Sequence, residues 1–280
     1  MLMRIHLVAA LAVLLATAAA LLAQVGLAEP DALQRWRAGE ALRVGYALEP
    51  PFAYLDASGR VTGEAPEVWR AVAEELGGGP LIWEHAEFGS LIHELEAGRI
   101  DVIASGLFVT PERATRVVFS RPTAHVCPAL LVQAGNPLKL AGYADVAANP
   151  RARLLVVAGA VEGEQARRAG VPEARLLAFP DADSAVVALQ RHAAEAFALS
   201  AVSLRRALAS AGDHGLELVV SSREAAGLPA FAFRPDDLSL RAAADSALAG
   251  FLGSERHATL IARFGFSQAE LPGRDGGCGS

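Results

Sequence analysis

The chain has 280 residues, of which 52% are hydrophobic and 20% are charged, so it is able to bury a sizeable core and is not disordered. That length fits one large domain or two ordinary ones. The formal net charge is −6, and no basic patch of the kind that binds nucleic acid is found. The apolar excess lies mainly in the first 28 residues and in abundant alanine, which excludes a polytopic membrane protein. The two cysteines, Cys127 and Cys278, are too few for a disulfide framework or a Cys-rich zinc site.

The N-terminal segment is typical of a secretory signal peptide. A short basic start containing Arg4 precedes an unbroken apolar run over 7–22, and the small residues Gly26 and Ala28 follow. We therefore expect residues 1–28 to be a signal peptide cleaved after Ala28, with an uncleaved membrane anchor as the alternative. Export predicts a periplasmic protein, in which the two cysteines are able to pair, although the sequence leaves open whether they do.

Extended segments and helices alternate along the rest of the chain. Apolar runs predict strands over 42–46, 81–84, 100–104, 130–132, 154–158, 176–178, 196–199, 216–220 and 229–233. Apolar residues at helical spacing predict helices over 66–76, 90–97, 163–169, 184–191, 203–211, 238–252 and 255–264. This alternation implies an α/β fold with parallel sheets covered by helices, in which ligands bind at the carboxyl ends of the strands.

Several common chemistries lack their motifs in this sequence. There is no Gly-x-Ser-x-Gly elbow and no phosphate loop, and Lys139 is the only lysine. The seven histidines form no pair at metal-binding spacing. Gly159 and Gly163 are too sparse for a dinucleotide fingerprint. We therefore expect no metal, no cofactor and no nucleic-acid partner.

The segment 105–113 carries the clearest chemical signal. It follows the predicted strand 100–104, and Thr110 followed by Pro111 is typical of a helix N-cap with proline in the first turn. The free amides of that turn attract anions, and the planar guanidinium of Arg113 is able to hold a carboxylate through two hydrogen bonds. An arginine that only pairs with a neighbouring glutamate is the alternative.

With these motifs the chain resembles the family 3 extracellular solute-binding proteins, of the polar-amino-acid type, which serve ABC importers. The resemblance covers roughly 42–265 and rests on Leu42-Arg43-Val44-Gly45, Gly63, Leu95-x-x-Gly98-Arg99-x-Asp101, Thr110-Pro111-Glu112-Arg113, Phe119-Ser120-x-Pro122 and Phe231-Ala232-Phe233-Arg234.

The resemblance implies a type II periplasmic binding protein fold. In that fold two α/β lobes, each a mostly parallel sheet flanked by helices, are joined by two crossing strands. Carried over, lobe 1 comprises 42–131 plus 231–270, lobe 2 comprises 132–230, and 271–280 form a flexible tail. The resemblance also implies a small-molecule ligand, a permease partner and a monomeric binding protein.

Two positions depart from the amino-acid-binding members of the family. Those members hold the α-ammonium of their ligand with an aspartate in the second lobe, and Ser200 stands near that place. The usual Gly-Thr-Thr of the second lobe becomes the run that begins at Gly159 and contains Glu162. The carboxylate partner Arg113 is retained while the ammonium partner is lost, which favours a ligand with a carboxylate and a different cation.

That combination resembles the ectoine- and hydroxyectoine-binding branch. The shared segments are Glu49-Pro50-Pro51-Phe52, 59–67, Glu87-Phe88-Gly89-Ser90-Leu91-Ile92 and the segment around Glu162. In that branch three aromatic rings surround a cyclic amidinium, and two acids accept hydrogen bonds from its N–H groups. A delocalised cation gains roughly 0.5–2 kcal/mol per aromatic face when it is desolvated. Carried over, the ligand-binding residues are the acids Glu49 and Glu162, the rings Phe52, Phe88 and Phe108, and Arg113.

Other functions stay open at this point. The ligand is alternatively a polar amino acid or a betaine-like quaternary ammonium, although a betaine has no N–H for Glu49 and Glu162 to bind. A different class is an enzyme, because this fold also occurs in a periplasmic cyclohexadienyl dehydratase. Glu162 would then be a general acid, but the sequence reveals no second proton-transfer group. We therefore expect a binding protein rather than an enzyme.

Overall fold

A computed structural model describes residues 31–211, 215–273 and 278 of the chain. The signal peptide predicted over 1–28 lies outside these residues, as do 274–277 and 279–280 of the predicted tail. Within the described ranges, no helix is both long and apolar enough to cross a bilayer. The same residues contain no group of three His, Cys, Asp or Glu side chains able to hold a metal ion.

The strands of the described residues form two five-stranded sheets and a small hairpin. In chain order they are β1 (Leu42–Tyr46), β2 (Tyr54–Leu55), β3 (Val61–Thr62), β4 (Leu81–His85), β5 (Val102–Ile103), β6 (Val118–Phe119), β7 (Pro128–Gln133), β8 (Leu154–Val157), β9 (Leu176–Phe179), β10 (Ala196–Ser200), β11 (Leu216–Val220) and β12 (Ala232–Phe233). The first sheet has the order β4-β1-β5-β12-β6 and the second β11-β7-β10-β8-β9, while β2 and β3 pair with each other. The predicted α/β class with two sheets is confirmed.

Each large sheet combines parallel and antiparallel pairings. In the first sheet β1 is parallel to β4 and β5, whereas β12 is antiparallel to β5 and β6. In the second sheet β8 is parallel to β9 and β10, whereas β7 is antiparallel to β10 and β11. The expectation of mostly parallel sheets therefore holds for half of the pairings in each sheet. Strands β7 and β12 run the other way because they enter from the connections between the sheets rather than after a covering helix.

The helices of the described residues cover these sheets. They are α1 (Ala32–Arg37), α2 (Glu64–Leu76), α3 (Leu91–Glu96), α4 (Pro111–Ala114), α5 (Tyr143–Ala148), α6 (Val161–Arg168), α7 (Ala182–Gln190), α8 (Ala201–Ala211), α9 (Leu238–Phe251) and α10 (Glu255–Ala262). Single 3₁₀ turns occur at Phe88–Ser90, Glu173–Arg175 and Gln268–Glu270. We call β1–β6, β12, α1–α4, α9 and α10 the first half, and β7–β11 with α5–α8 the second half.

The sequence predicts the type of most elements but misplaces several of their ends. Helix α2 begins at Glu64 rather than Pro66, because the backbone N–H groups of Glu64 and Ala65 bind the carbonyls of Pro51 and Phe52. It ends at Gly77 as expected, where a left-handed φ of 63° lets the N–H bind the carbonyl of Ala73. The hairpin of β2 and β3 was not predicted, since strands of two residues leave no periodicity to read.

The chain crosses between the halves twice. It leaves the first half after β6 and returns before β12, and an antiparallel bridge between Val126 and Gly227 pairs the two crossings. All of β7 pairs within the second sheet, so the lobe boundary predicted between 131 and 132 falls inside a strand that belongs to the second half. The remaining lobe boundaries stay a prediction.

Cys127 lies in the first crossing, directly before β7, and forms a disulfide with Cys278. Their Cα atoms are 5.3 Å apart, and the bond closes a loop across 151 positions of sequence. The question that the sequence leaves open is thereby answered: the tail predicted over 271–280 is attached at Cys278 to the connection between the halves.

The hydrophobic core is divided between the two sheets. The core of the first half contains Trp36 and Trp69, and the ring of Trp69 lies 4.9 Å from that of Phe231 in an edge-on arrangement. The core of the second half packs α7 and α8 on the sheet around Phe197. Each half has buried clusters of its own, and Val202 of α8 packs into the cluster of the first half where the two halves join.

Candidate functional site

Four connections bring five of the predicted site residues to the boundary between the two halves. Glu49 follows β1, Phe88 follows β4, and Phe108 follows β5. Arg113 lies in α4, and Glu162 lies in the first turn of α6, directly after β8. All five therefore come from the carboxyl ends of parallel strands, as expected for ligand sites in α/β folds.

A small, nearly filled pocket lies where these connections meet. Its lining consists of Glu49, Phe88, Gly106, Phe108, Arg113, Ala160, Val161 and Glu162. Five of the six residues predicted for the site thus line one pocket, and the acids, the rings and the arginine are brought together. Phe52, the sixth, is absent from this lining.

Arg113 joins the two halves through its guanidinium. Its Nη1 donates to the carbonyl of Phe108 at 2.8 Å, and its Nη2 donates to the carbonyl of Gly159, in the second half, at 2.9 Å. The Thr110 side chain accepts from the Arg113 N–H at 3.2 Å, which is the predicted cap. A guanidinium carries five N–H donors, so three remain for a ligand after these two bonds.

Arg113 forms no ion pair with its neighbour Glu112 among the described residues. Glu112 instead forms an ion pair with Arg168 of the second half. Burial lowers the pKa of Arg113, and the negative charges of Glu162 and Glu49 oppose that shift. A buried guanidinium facing two carboxylates stays charged, since the pKa of arginine lies far above neutral pH.

The two acids of the pocket are buried and hold their protons more tightly than exposed glutamates do. Burial, followed by the charge of Glu162, raises the pKa of Glu49 to about 8, against the lowering effects of Ser203 and Arg113. Burial likewise raises the pKa of Glu162 to about 7, although its own backbone N–H and Arg113 lower it. When both acids are ionised, two carboxylates against one guanidinium leave an excess of negative charge, which a cation relieves.

The aromatic rings occupy two different layers. The ring of Phe88 lies 5.8 Å from the guanidinium carbon of Arg113, and the ring of Phe108 lines the same pocket. Phe52 is fully buried behind Phe108, with ring centroids 6.0 Å apart and an edge-on orientation. Phe52 also packs edge-on against Phe266 in the core of the first half. The structure therefore places two of the three predicted cage rings at the pocket and the third one layer deeper.

Two glycines on opposite sides of the cleft allow the halves to touch. A Cβ atom added at Gly159 would overlap the Cα of Gly89, and Gly159 has a φ of 77° that L-residues rarely adopt. Together with the bond from Arg113 to Gly159 and the ion pair between Glu112 and Arg168, this close approach defines a closed cleft.

Sequence reasoning missed one contact of the site. The hydroxyl of Ser203, in the second half, donates to Oε1 of Glu49, in the first half, at 3.3 Å. Ser200 was singled out because it stands where a carboxylate was expected, but nothing in the sequence pointed to Ser203. A serine in the first turn of a helix is so common that only the fold reveals its partner.

Comparisons with known proteins agree with this architecture. The family model described as "Bacterial extracellular solute-binding proteins, family 3" matches residues 42–267. A relative from Sinorhizobium fredii, named a probable amino-acid ABC transporter periplasmic-binding protein, is 30% identical over 260 residues, which is 90% of this chain and 85% of that protein. The chain therefore belongs to family 3 of the bacterial extracellular solute-binding proteins.

Solved structures with this fold bind different small molecules. The structure of EhuB in complex with hydroxyectoine is similar to this chain with a TM-score of 0.80 and 34% identity, covering 85% of this chain and 94% of EhuB. An ancestral arginine-binding protein bound to arginine shares the fold with a TM-score of 0.72 and 22% identity, covering 80% and 97% of the two chains. The chain is thus a solute-binding protein whose predicted family and fold are confirmed.

Proposed function

We propose that this protein is the periplasmic binding component of an ABC importer and that it closes on ectoine, hydroxyectoine or a similar cyclic zwitterion. The observation that carries the proposal is one pocket in which a buried guanidinium, two buried carboxyl groups and two phenylalanine rings meet. Export through the signal peptide over 1–28 and delivery of the solute by the monomeric protein to a membrane permease complete the proposed role.

Each part of such a ligand has a partner in this pocket. The carboxylate pairs with the N–H groups of Arg113 that its two carbonyl bonds leave free. The flat amidinium lies against Phe88 and Phe108, with Phe52 behind Phe108 as part of the same wall. The N–H groups of the ring donate to Glu49 and Glu162, whose buried carboxyl groups need donors.

The similarity to EhuB, whose structure contains hydroxyectoine, supports the same ligand class here. Glycine betaine offers no N–H to the two acids, and glutamine offers no delocalised cation. Each of these solutes would leave part of the pocket without a partner, and an unpaired buried polar group costs about 1–3 kcal/mol.

A basic amino acid is the second candidate. When both acids are ionised, Glu49, Glu162 and Arg113 sum to a single negative charge, which a ligand with net charge +1 such as arginine would neutralise. The Sinorhizobium fredii relative is named a probable amino-acid ABC transporter periplasmic-binding protein, which supports an amino acid as the alternative ligand.

A ligand panel tests the proposal. Ectoine, hydroxyectoine, glycine betaine, glutamine and arginine are each added to the mature protein, and thermal unfolding and calorimetric titration are recorded. A ligand present at about 100 times its Kd stabilises the folded state by about 2.7 kcal/mol, which raises the melting temperature visibly. We expect that rise with ectoine or hydroxyectoine and not with the other three. Stabilisation by arginine or glutamine alone would assign the protein to the amino-acid binders instead.

Turnover is tested in parallel, because the pocket holds two carboxyl groups whose raised pKa values suit proton transfer. Prephenate is incubated with the protein and followed by ultraviolet absorbance. Binding without turnover predicts no change in absorbance above the rate in buffer. A catalysed change that Glu162→Gln abolishes would replace the binding role with that of a dehydratase-like enzyme.

A further inference from the structure

Ser203 and Ser200 form a chain of hydrogen bonds that ends on Glu49. The N–H of Ser203 donates to Oγ of Ser200 at 3.2 Å, Oγ of Ser200 donates to Oγ of Ser203 at 3.0 Å, and Oγ of Ser203 donates to Oε1 of Glu49 at 3.3 Å. Both serines are 1% exposed and Glu49 is 7% exposed, so water does not compete for these groups. An ionised Glu49 only accepts hydrogen bonds, so the single hydroxyl proton of Ser203 is committed to it and Ser203 accepts from Ser200.

The last of these bonds crosses the cleft. Ser200 ends β10 and Ser203 lies in the first turn of α8, both in the second half, while Glu49 follows β1 in the first half. The bond therefore joins the two halves, and it orients an acid of the pocket from the opposite side. With Oε1 held by Ser203, Oε2 is the oxygen of Glu49 that accepts no hydrogen bond from the described residues.

We propose that Ser203 is a specificity-determining positioning residue, which holds Glu49 so that one carboxylate oxygen faces the N–H group of a cationic ligand. This inference rests on the proposed function, since it assigns Glu49 to the cation of the solute. Closure and recognition are thereby linked: a solute whose cation carries an N–H at that place uses the oriented oxygen, and a quaternary ammonium of the same size does not.

The charges around Glu49 set the direction of the pH effect. Glu162 disfavours the ionised form of Glu49, whereas the Ser203 hydroxyl and Arg113 favour it. A cationic ligand binds the ionised form. Removal of the Ser203 hydroxyl should therefore weaken binding and also move the midpoint of the pH dependence of affinity to higher pH.

The first experiment needs no ligand. Melting temperatures and unfolding free energies are measured at pH 9 for the wild type, Ser203→Ala, Glu49→Gln and the double variant, so that the double-mutant cycle reports the coupling of the two side chains. Ser210→Ala, an exposed serine of the same helix, is the matched control. We expect a favourable coupling between Ser203 and Glu49 and additivity between Ser210 and Glu49. A cycle without coupling overturns the proposal, whichever solute the protein binds.

The second experiment measures binding of ectoine, hydroxyectoine and arginine by calorimetry between pH 6 and 9. We expect Ser203→Ala to lower the affinity for the solute by about 10- to 100-fold, which is the loss that follows removal of a hydrogen bond to a charged group. Ser203→Thr, which keeps the hydroxyl, should restore most of the affinity and the wild-type pH midpoint, while Ser210→Ala should change neither.

The outcomes separate the two hypotheses. If arginine is the solute that binds, the proposed ligand fails, and the role of Ser203 is judged on arginine with the same variants. If none of the three solutes binds, the proposed function fails, and the double-mutant cycle alone decides the inference. Coupling in the cycle together with an unchanged affinity and pH midpoint in Ser203→Ala would overturn the role in specificity.

Discussion

The guanidinium of Arg113 donates to the Phe108 carbonyl in its own loop and to the Gly159 carbonyl in the second half. Its remaining N–H groups are left for the pocket. Arg113→Ala should weaken binding of the solute by at least about 2 kcal/mol, because a buried charged hydrogen bond is lost. Arg113→Lys should not restore it, since an ammonium cannot donate two parallel bonds to a carboxylate. Calorimetric titration measures both variants, with the exposed Arg191→Ala as control. Affinity within twofold of the wild type in Arg113→Ala would remove Arg113 from the site.

The raised pKa values of Glu49 and Glu162 predict how affinity depends on pH. A ligand cation binds the ionised carboxylates, so protons compete with it as the pH falls through about 8, the pKa of Glu49, and about 7, the pKa of Glu162. Affinity should therefore rise from pH 6 to pH 9, and binding near neutral pH should release protons. Titration in buffers of different ionisation enthalpy measures that release. A flat affinity across this range would contradict the assignment of both acids to the cation.

At the scale of single residues, the sequence predicts which side chains reach the pocket better than it predicts how deeply each one is buried. Glu49, Phe88, Phe108, Arg113 and Glu162 reach one pocket because each follows a strand, and strand ends are readable from apolar runs. The full burial of Phe52 could not be predicted. It depends on a contact with Phe266, more than 200 positions away, which forms only once the chain has folded back. The partner of Glu49 lies 154 positions away and is hidden for the same reason.

The first residue of helix α2 is Glu64, and neither oxygen of its buried carboxyl group has a hydrogen-bond partner among the described residues. Burial raises the pKa of Glu64 to about 7, although the nearby Thr123 hydroxyl lowers it. The folded protein thus favours the neutral form, and this contribution to stability is complete below the unfolded pKa of 4.5 and is lost as pH rises through about 7.

Replacement of that acid by its neutral analogue should therefore change the pH dependence of stability. Between pH 5 and pH 8 the unfolding free energy of the wild type should fall by on the order of 2 kcal/mol more than that of Glu64→Gln. Denaturant unfolding at both pH values measures the difference, and any cost of Gln that is independent of pH cancels. The exposed Glu75→Gln provides the comparison. The same pH dependence in Glu64→Gln as in the wild type would show that Glu64 is ionised in the folded protein.

At the scale of elements, order along the chain was predictable and orientation within the sheets was not. A covering helix makes the next strand parallel, which the spacing of apolar residues reveals for β8 and β9. Strands β7 and β12 follow connections without a helix, so their antiparallel direction depends on how the two halves join. Local periodicity carries no information about that junction.

The disulfide attaches the C-terminal tail to the connection between the halves. Reduction, or Cys278→Ser, should lower the unfolding free energy by about 2–4 kcal/mol, because the oxidised bond restricts a long loop of the unfolded chain. Thermal unfolding with and without dithiothreitol measures the effect. The variant that lacks both cysteines is the control and should not respond to the reductant. Equal melting temperatures for oxidised and reduced wild type would show that the disulfide contributes nothing to stability.

The whole molecule was predictable in outline because strands and helices alternate along the chain, whereas the contact between the halves depends on the backbone. Gly89 and Gly159 approach each other without side chains, and a glycine in a sequence does not say which other glycine it faces. The pairing of Cys127 with Cys278 was undecided in the same way, since only the fold brings their Cα atoms within 5.3 Å.

The ion pair between Glu112 and Arg168 has a consequence for residence time. It joins the two halves beside the innermost pocket without lining it, so separation of the halves has to break this contact. Glu112→Gln should therefore accelerate dissociation by no more than about fivefold, the limit for an exposed ion pair, and leave the association rate nearly unchanged. Stopped-flow mixing with the solute measures the association rate, and displacement of the bound solute measures the dissociation rate. How long the protein carries its cargo is in this way set partly by residues that never touch it.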